Sequence, residues 1–306
     1  MTSAINPFHR SFSASDAALL FSPATGSSAT TSSRAPLISG GTLESGFQND
    51  ARNSGQRALA RIVEILELSG AAEDAGGTSV SETMGYVTQA RGTDGDDKLT
   101  IDARAAYGIE SGAGNDTLTI RAGGLSGLSA GDGNDSVKAV AAFLGGIDGG
   151  EGNDEIALSG KLAMDIYGGA GDDTIRIAAD TIIGADGGDG DDVLQLEGNR
   201  IFAYGGAGND TVSFTRTGKA EDSVFEYGFG RGDGQDTVTS NAPIALRLTG
   251  YSKDDLEISI TGNALTARFK GSDDRITVTL DSTRTDSAAA TFGFAFDQGD
   301  LMLKVG

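Results

Sequence analysis

A short repeat that recurs seven times at a nearly constant interval is the feature that most constrains how this chain folds. Each copy contains a glycine-rich turn, an aspartate and alternating apolar residues, and successive copies start nineteen positions apart, except that the last interval is one position shorter. A repeat of this size cannot bury its apolar face alone, and such periods are typical of solenoids whose coils pack on their neighbours. The copies begin at Gly92, Ser111, Ala130, Gly149, Gly168, Gly187 and Gly205.

Apolar columns run through the repeat at a spacing of two, which is typical of strands with one face turned inward. One column is Leu99, Leu118, Val137, Ile156, Ile175, Leu194 and Val212. Another is Ile101, Ile120, Ala139, Leu158, Ile177, Leu196 and Phe214. A weaker column in the other half of each repeat is Ile109, Leu128, Ile147, Ile166, Ala185 and Ala203. The pattern predicts an all-β, right-handed parallel β-roll with two short strands per coil.

One acidic residue recurs in phase with these columns. Stacked strands lie about 4.8 Å apart, and two unit charges about 4 Å apart repel by roughly 4 kcal/mol at an effective dielectric of 20. A row of carboxylates therefore favours a divalent cation between neighbouring coils, and flexible all-oxygen sites favour Ca²⁺ over Mg²⁺. The recurring residues are Asp97, Asp116, Asp135, Asp154, Asp173, Asp192 and Asp210.

Composition excludes several classes of function. The formal net charge of −21 argues against a nucleic-acid partner, and the absence of cysteine excludes disulfides and zinc–thiolate sites. No apolar run is long enough to predict a membrane span. The N-terminus lacks the basic and apolar regions of a cleaved secretion signal. If the protein is exported, we expect another route.

The repeated segments resemble the nonapeptide GGxGxDxUx of RTX (repeats-in-toxin) proteins, as in GGAGDDTIR from Gly168 and GGAGNDTVS from Gly205. The resemblance covers about residues 92–214 and implies a calcium-bound parallel β-roll with one acidic edge. In that family each ion lies between two consecutive loops. Seven loops therefore imply about six Ca²⁺ ions along this edge.

The resemblance also implies the ligands. One loop supplies the carbonyls of its second and fourth residues and its aspartate, so that the first site uses Thr93, Gly95 and Asp97. In later loops these carbonyl positions are Gly112, Gly114, Gly131, Gly133, Gly150, Gly152, Gly169, Gly171, Gly188 and Gly190. The next loop supplies its own aspartate and the carbonyls of its first and third residues, which are Ser111, Ala113, Ala130, Asp132, Gly149, Glu151, Gly168, Ala170, Gly187, Asp189, Gly205 and Ala207.

Some loops depart from the family pattern. Thr93, Ser111 and Ala130 each replace a leading glycine, and we expect strained or weaker sites if those positions need a positive φ. A further segment, FGRGDGQDTV at Phe229–Val238, resembles the end of such a roll but is out of phase with the repeats. Its Asp236 either binds an ion or only caps the stack.

The segments outside the repeats have their own patterns. Residues 1–54 are rich in Ser, Ala, Thr and Gly, which predicts disorder. Residues 55–90 are expected to hold a capping helix and a strand leading into the roll at 91–240, because Leu59, Ile62, Val63 and Leu66 have helical spacing.

The C-terminal residues 241–306 predict an antiparallel β module. Apolar residues alternate over 256–260, 265–269 and 276–280, with turn residues at Gly262–Asn263 and Gly271–Ser272. A last hairpin is expected across Asp297–Asp300. Resemblance to the RTX family implies that this end carries an uncleaved type I secretion signal, and hence that the secretion machinery is a partner.

These observations favour a secreted, calcium-binding protein with a non-catalytic structural or interaction role, in contact with cell-surface polysaccharide or another matrix protein. Two alternatives remain open. One is a carboxylate-based enzyme that modifies polysaccharides, or its ancillary module, and the other is a surface-layer or biofilm matrix component. The G-x-S-x-G pattern at Gly127–Gly131 lies inside the repeat, and the single histidine, His9, lies far from it.

Overall fold

The computed structural model describes residues 79–219, 223–281, 291–297 and 299–306. This part of the chain is nearly all β and forms a parallel β-solenoid of about eight turns, which confirms the predicted fold class. The capping helix expected within 55–90, around Leu59–Leu66, and the tail expected to be disordered lie outside the described residues. The one helical turn among the described residues is a short 3-10 segment at Lys253–Asp255.

The strands follow one another with short loops between them. Strands β2, β7 and β8 each run for 16 residues across both faces of a coil, and the others are shorter. The strands are β1 Ser79–Thr88, β2 Lys98–Ala113, β3 Thr117–Ala122, β4 Gly124–Asp132, β5 Ser136–Val140, β6 Phe143–Glu151, β7 Glu155–Ala170, β8 Thr174–Asp189, β9 Val193–Gly198, β10 Arg200–Ala207, β11 Thr211–Arg216, β12 Val224–Phe229, β13 Gln235–Ser240, β14 Ile244–Leu248, β15 Leu256–Thr261, β16 Ala264–Phe269, β17 Arg275–Leu280, β18 Phe292–Asp297 and β19 Asp300–Val305.

Parallel pairing builds two stacked faces. The first face, made by the strand halves that follow the acidic loops, runs through β1, β2, β3, β5, β7, β8, β9, β11, β13 and β17. The second face, made by the strand halves that precede those loops, runs through β1, β2, β4, β6, β7, β8, β10, β12 and β14. Each coil therefore contacts only the coils before and after it.

The core lies between the two faces and consists of the predicted columns. All three are buried, with exposed fractions of 5% or less. The structure adds a fourth buried column on the second face, three positions before the weaker one in the regular coils. It was missed because two of its members are alanines, and it consists of Ala106, Leu125, Leu144, Ala163, Ile182 and Ile201.

One position on the second face, called the bulge position below, accounts for the coil that is one residue shorter than the others. In each regular coil one residue is skipped by the pairing register and has a left-handed backbone, as at Gly127 with φ 67° and Asp165 with φ 53°. Strand β10 has no counterpart of Gly184, and the register shifts between Phe202 and Ala203. The coil that ends in the seventh loop is therefore one residue shorter than the coils before it. Glycine or aspartate suits the bulge position because both tolerate a positive φ.

The predicted C-terminal strands are present and close the solenoid. Strands β15, β16 and β17 form an antiparallel meander whose last strand continues the first face. Strands β18 and β19 form the expected hairpin, and β19 pairs antiparallel with β14 on the second face. The hydrogen-bonded sheet thus continues from the roll, predicted to end at residue 240, into the C-terminal module.

Candidate metal centre

Two glycines give each acidic loop its shape. The residues of each loop are numbered 1 to 6, with the recurring aspartate at position 6, and the loops are numbered 1 to 7 along the chain. In loops 2–7 the glycines at positions 2 and 4, from Gly112 to Gly208, have φ between 109° and 151°. A Cβ atom at either position would overlap the backbone of the preceding loop; at Gly131 it would meet the Gly112 carbonyl oxygen. Left-handed backbone and close approach both require glycine here.

This geometry corrects the expected strain at the leading residues. Ser111 and Ala130 occupy position 1, where the backbone is not left-handed, so neither residue is strained. Thr93 occupies position 2 of loop 1, but neither it nor Gly95 adopts the left-handed backbone of the other loops. Loop 1 therefore differs in shape from the later six.

The recurring aspartates form a buried ladder along one edge. Their exposed fractions are 1–3%. Oδ1 of each carboxylate in loops 2–7 accepts a hydrogen bond from the backbone N–H of the equivalent aspartate one coil earlier, for example Asp97 N–H to Asp116 Oδ1 at 2.7 Å and Asp154 N–H to Asp173 Oδ1 at 2.7 Å. The seven aspartates are thus brought together, as their spacing predicted, and are linked directly through the backbone.

The second carboxylate oxygen in this ladder lacks a partner. Six buried Oδ2 atoms, one in each of loops 2–7, accept no hydrogen bond within the described part of the chain. Buried polar atoms are normally satisfied, and an unsatisfied one costs about 1–3 kcal/mol, or more when it is charged. A hydrogen-bond donor or a cation placed next to this column of six atoms would therefore stabilise the fold. The six residues are Asp116, Asp135, Asp154, Asp173, Asp192 and Asp210.

Burial shifts the ionisation of these carboxyls. Desolvation raises the pKa of Asp154 and Asp192 to about 7, and that of Asp116, Asp173 and Asp210 to about 6. In each case the backbone N–H bond of the neighbouring coil opposes the rise in pKa. Neighbouring aspartates raise the pKa further, as Asp173 and Asp135 do for Asp154.

Backbone carbonyls face the same spaces. In the inner loops the carbonyls at positions 2 and 4 point toward the next loop, where a Cβ atom on the equivalent glycine would overlap their oxygens. The carbonyl at position 1 points back: a Cβ on Gly149 would meet both Asp154 Oδ2 and the Gly168 carbonyl oxygen. Position 3 carbonyls also face the preceding loop, and the Asp132 oxygen accepts the Gly114 N–H at 2.8 Å.

A metal ion at this edge would need both the aspartates of two successive loops and the backbone carbonyls as ligands. Within the described residues, no three His, Cys, Asp or Glu side chains are close enough together to ligate one ion. Two successive loops contribute one aspartate each, so the remaining donors must be backbone carbonyls. Such all-oxygen donor sets suit Ca²⁺, which accepts 6–8 ligands with flexible geometry.

Position 5 carries a second ladder that the sequence analysis missed. Its side-chain Oδ1 accepts the backbone N–H of position 5 in the following coil, at 2.7–3.0 Å, so this ladder runs opposite to the aspartate ladder. The sequence signal was the presence of Asn or Asp at this position in all seven loops. The residues are Asp96, Asn115, Asn134, Asn153, Asp172, Asp191 and Asn209.

Hydroxyl groups partner the aspartates at both ends of the row. In loop 1, Asp97 Oδ2 accepts hydrogen bonds from the Thr93 N–H at 2.5 Å and the Thr93 hydroxyl at 2.9 Å. At the other end, Asp236 Oδ2 accepts the hydroxyl of the fully buried Tyr227 at 2.6 Å, and Asp236 Oδ1 accepts the Asp210 N–H at 3.1 Å. Asp236 thus extends the ladder as an eighth member, and its loop is called loop 8 below.

Comparison with known proteins adds no relative: the chain matches no protein-family model and no curated protein. No helix among the described residues is long and apolar enough to cross a membrane.

Proposed function

We propose that this protein is a calcium-binding β-roll whose ions lie between consecutive acidic loops. The observation that carries the proposal is the column of six buried, unpartnered Oδ2 atoms. A cation between loops would meet this oxygen, the Oδ1 of the next aspartate and the carbonyls that face the same space. The chemistry that calcium supplies is charge neutralisation and cross-linking of adjacent coils.

The energies involved make folding depend on calcium. An extracellular calcium site at ten times its Kd contributes about 1.4 kcal/mol, so six sites contribute roughly 8 kcal/mol. This is comparable to the whole stability of a typical domain. We therefore expect the roll to fold cooperatively as calcium is added and to lose β structure in chelator.

A titration of the full chain with calcium tests the proposal. Native mass spectrometry should count about six ions, and circular dichroism should report a gain of β structure over the same range. Asp154→Asn should remove or weaken binding and raise the calcium midpoint, because Asp154 contacts two interloop spaces. Asp102→Asn is the matched control, since Asp102 is exposed on the outer side of the first face and should leave the titration unchanged. A spectrum unaffected by calcium or chelator would overturn the proposal.

The dependence on calcium suggests where the protein works. Cytosolic calcium is low, so we infer that the chain stays unfolded inside the cell and folds after export by a type I secretion machinery, with a non-catalytic structural or interaction role at the cell surface or in the matrix. Expression in a host with and without a type I exporter tests this: the protein should reach the medium only with the exporter. Equal amounts in both media would contradict it.

A further inference from the structure

The two ends of the aspartate row differ in ways that bear on where calcium binds. The seven repeats leave six spaces between consecutive loops, so the repeat count alone places six sites between loops 1 and 7. The six unpartnered oxygens, however, belong to loops 2–7. Where position 1 of the loop is glycine, the Oδ2 faces the space toward the following loop, as Asp154 Oδ2 faces the Gly168 carbonyl. The unpartnered oxygens therefore define spaces from loops 2/3 to loops 7/8.

The first space lacks three features of the inner ones. Asp97 Oδ2 faces loop 2, since a Cβ on Gly92 would meet both it and the Ser111 carbonyl oxygen, but unlike its counterparts it already accepts hydrogen bonds from the Thr93 N–H and hydroxyl. The backbone of Thr93 and Gly95 is not left-handed. A Cβ on Gly114 would overlap the Gly95 carbonyl carbon and the Asp96 nitrogen rather than a carbonyl oxygen, so the Gly95 carbonyl does not point into this space as its counterparts do.

The space between loops 7 and 8 retains these three features, although a Cβ on Gly232 would meet nothing within 4 Å, so the close approach at position 2 is absent there. Gly232 and Gly234 of loop 8 both have φ 90°, and a Cβ on Gly234 would overlap the Gly208 carbonyl oxygen. The Gly208 N–H donates to the Asp233 carbonyl at 3.0 Å, as position 4 does to position 3 in the inner coils. Asp210 Oδ2 is buried and unpartnered in this space.

Tyr227 completes this last space. A Cβ on Gly205 would meet Asp210 Oδ2 and the Tyr227 hydroxyl, whereas on Gly187 it would meet Asp192 Oδ2 and the next loop's carbonyl oxygen. The phenol oxygen thus stands where a carbonyl oxygen stands in the inner coils. Its proton is directed to Asp236 Oδ2, which leaves the oxygen's lone pairs available to a cation.

We propose that the row of calcium sites is displaced by one coil: the space between loops 1 and 2 takes no ion, and a site assembled by Asp210, Asp236 and the Tyr227 phenol oxygen takes the last. The proposal rests on the calcium-binding function. It makes Asp236 a ligand through Oδ1 and assigns Thr93 the role of closing the first space.

The matched pair Asp97→Asn and Asp236→Asn distinguishes this assignment from the simple repeat count. Native mass spectrometry of the full chain in saturating calcium should count six ions in the unchanged protein, six in Asp97→Asn and five in Asp236→Asn. A second pair guards against misfolding: Tyr227→Phe keeps the packed ring and should weaken one ion at least tenfold, while Thr93→Gly should admit a seventh ion.

The ion counts separate failure of the displacement from failure of the calcium-binding function. An unchanged protein that binds calcium, with one ion lost in Asp97→Asn or none lost in Asp236→Asn, overturns the displacement and leaves the calcium-binding function standing. An unchanged protein that binds no calcium overturns both.

Discussion

At the scale of single residues, each aspartate of the edge has two distinct oxygens. In loops 2–7 Oδ1 accepts a backbone N–H of the preceding coil, whereas Oδ2 is buried without a partner. The recurrence of the aspartates along one edge follows from the sequence. The division between the oxygens does not, because it depends on which way each carboxylate turns toward its neighbours.

The raised pKa values of these carboxyls predict opposite pH dependences with and without calcium. The folded-state pKa values of about 6–7 exceed the ordinary value, so without metal the folded state binds more protons than the unfolded one. This stabilisation is complete below about pH 4 and is lost as the pH rises through about 6–7. Calcium requires the deprotonated form, so its binding weakens as the pH falls through the same range.

Circular dichroism at about pH 5 and about pH 8 checks this dependence. In chelator the spectrum should report more β structure at the lower pH, whereas in saturating calcium the melting temperature should be higher at the higher pH. Asp154→Asn should reduce both effects. The same order in both conditions would contradict the prediction.

At the scale of strands and loops, two features lay beyond sequence reasoning. The bulge position holds a glycine or an aspartate, and in the sequence this residue looks like an ordinary turn residue. Only the pairing of the strands shows that it has no partner across the sheet. Loop 8 follows an enlarged coil, so its alignment with loop 7 depends on hydrogen bonds such as that of the Thr237 N–H to the Asp210 carbonyl, at 2.8 Å. By contrast, alternation predicted the C-terminal strands correctly because one face of most of them is apolar.

An ion-pair cluster fastens the last hairpin to the solenoid. Arg247 on β14 contacts Glu226 on β12 at 2.6 Å, Asp297 at the end of β18 at 2.8 Å and Asp300 at the start of β19 at 3.3 Å. The Arg247 and Glu226 side chains are only 15% and 16% exposed, so removal of the cation would leave a shielded carboxylate unpaired.

Arg247→Met should therefore loosen the β18–β19 hairpin. We expect a destabilisation of about 2–4 kcal/mol, because breaking a partly buried pair costs more than an exposed one. Amide exchange of β19 should accelerate while that of β7 stays unchanged. Arg268→Met, at an exposed position on β16, is the control and should alter neither. Unchanged exchange in β19 would show that the cluster does not hold the hairpin.

At the scale of the whole molecule, the protein is a stack of nearly identical coils with two different ends. The first end has the altered loop 1, and the second has an aromatic core in which Phe229, Tyr251 and Phe269 stack with ring centroids 4.0–6.4 Å apart. Because inner coils contact only their neighbours, the stability of the stack is expected to be close to a sum over coils and interfaces.

Removal of one inner coil tests this modularity. Deleting positions 149–167, which is one full repeat, joins Asp148 to Gly168 and keeps every column in phase. The shortened protein should fold in calcium and bind one ion fewer than the full chain. Deleting only positions 149–158 should prevent folding, because it removes an acidic loop and its strand while leaving the rest of the coil without a register partner. An unchanged ion count in the longer deletion would contradict the interloop location of the sites.

The opposite directions of the two side-chain ladders have a consequence for the electric field along the stack. In an α-helix the peptide dipoles align and accumulate toward the ends. Here the hydrogen bonds at loop position 5 and those at position 6 point opposite ways along the axis, so their dipoles largely cancel within each coil. The side-chain hydrogen bonds of the acidic edge therefore add little to a macrodipole, however many coils are stacked.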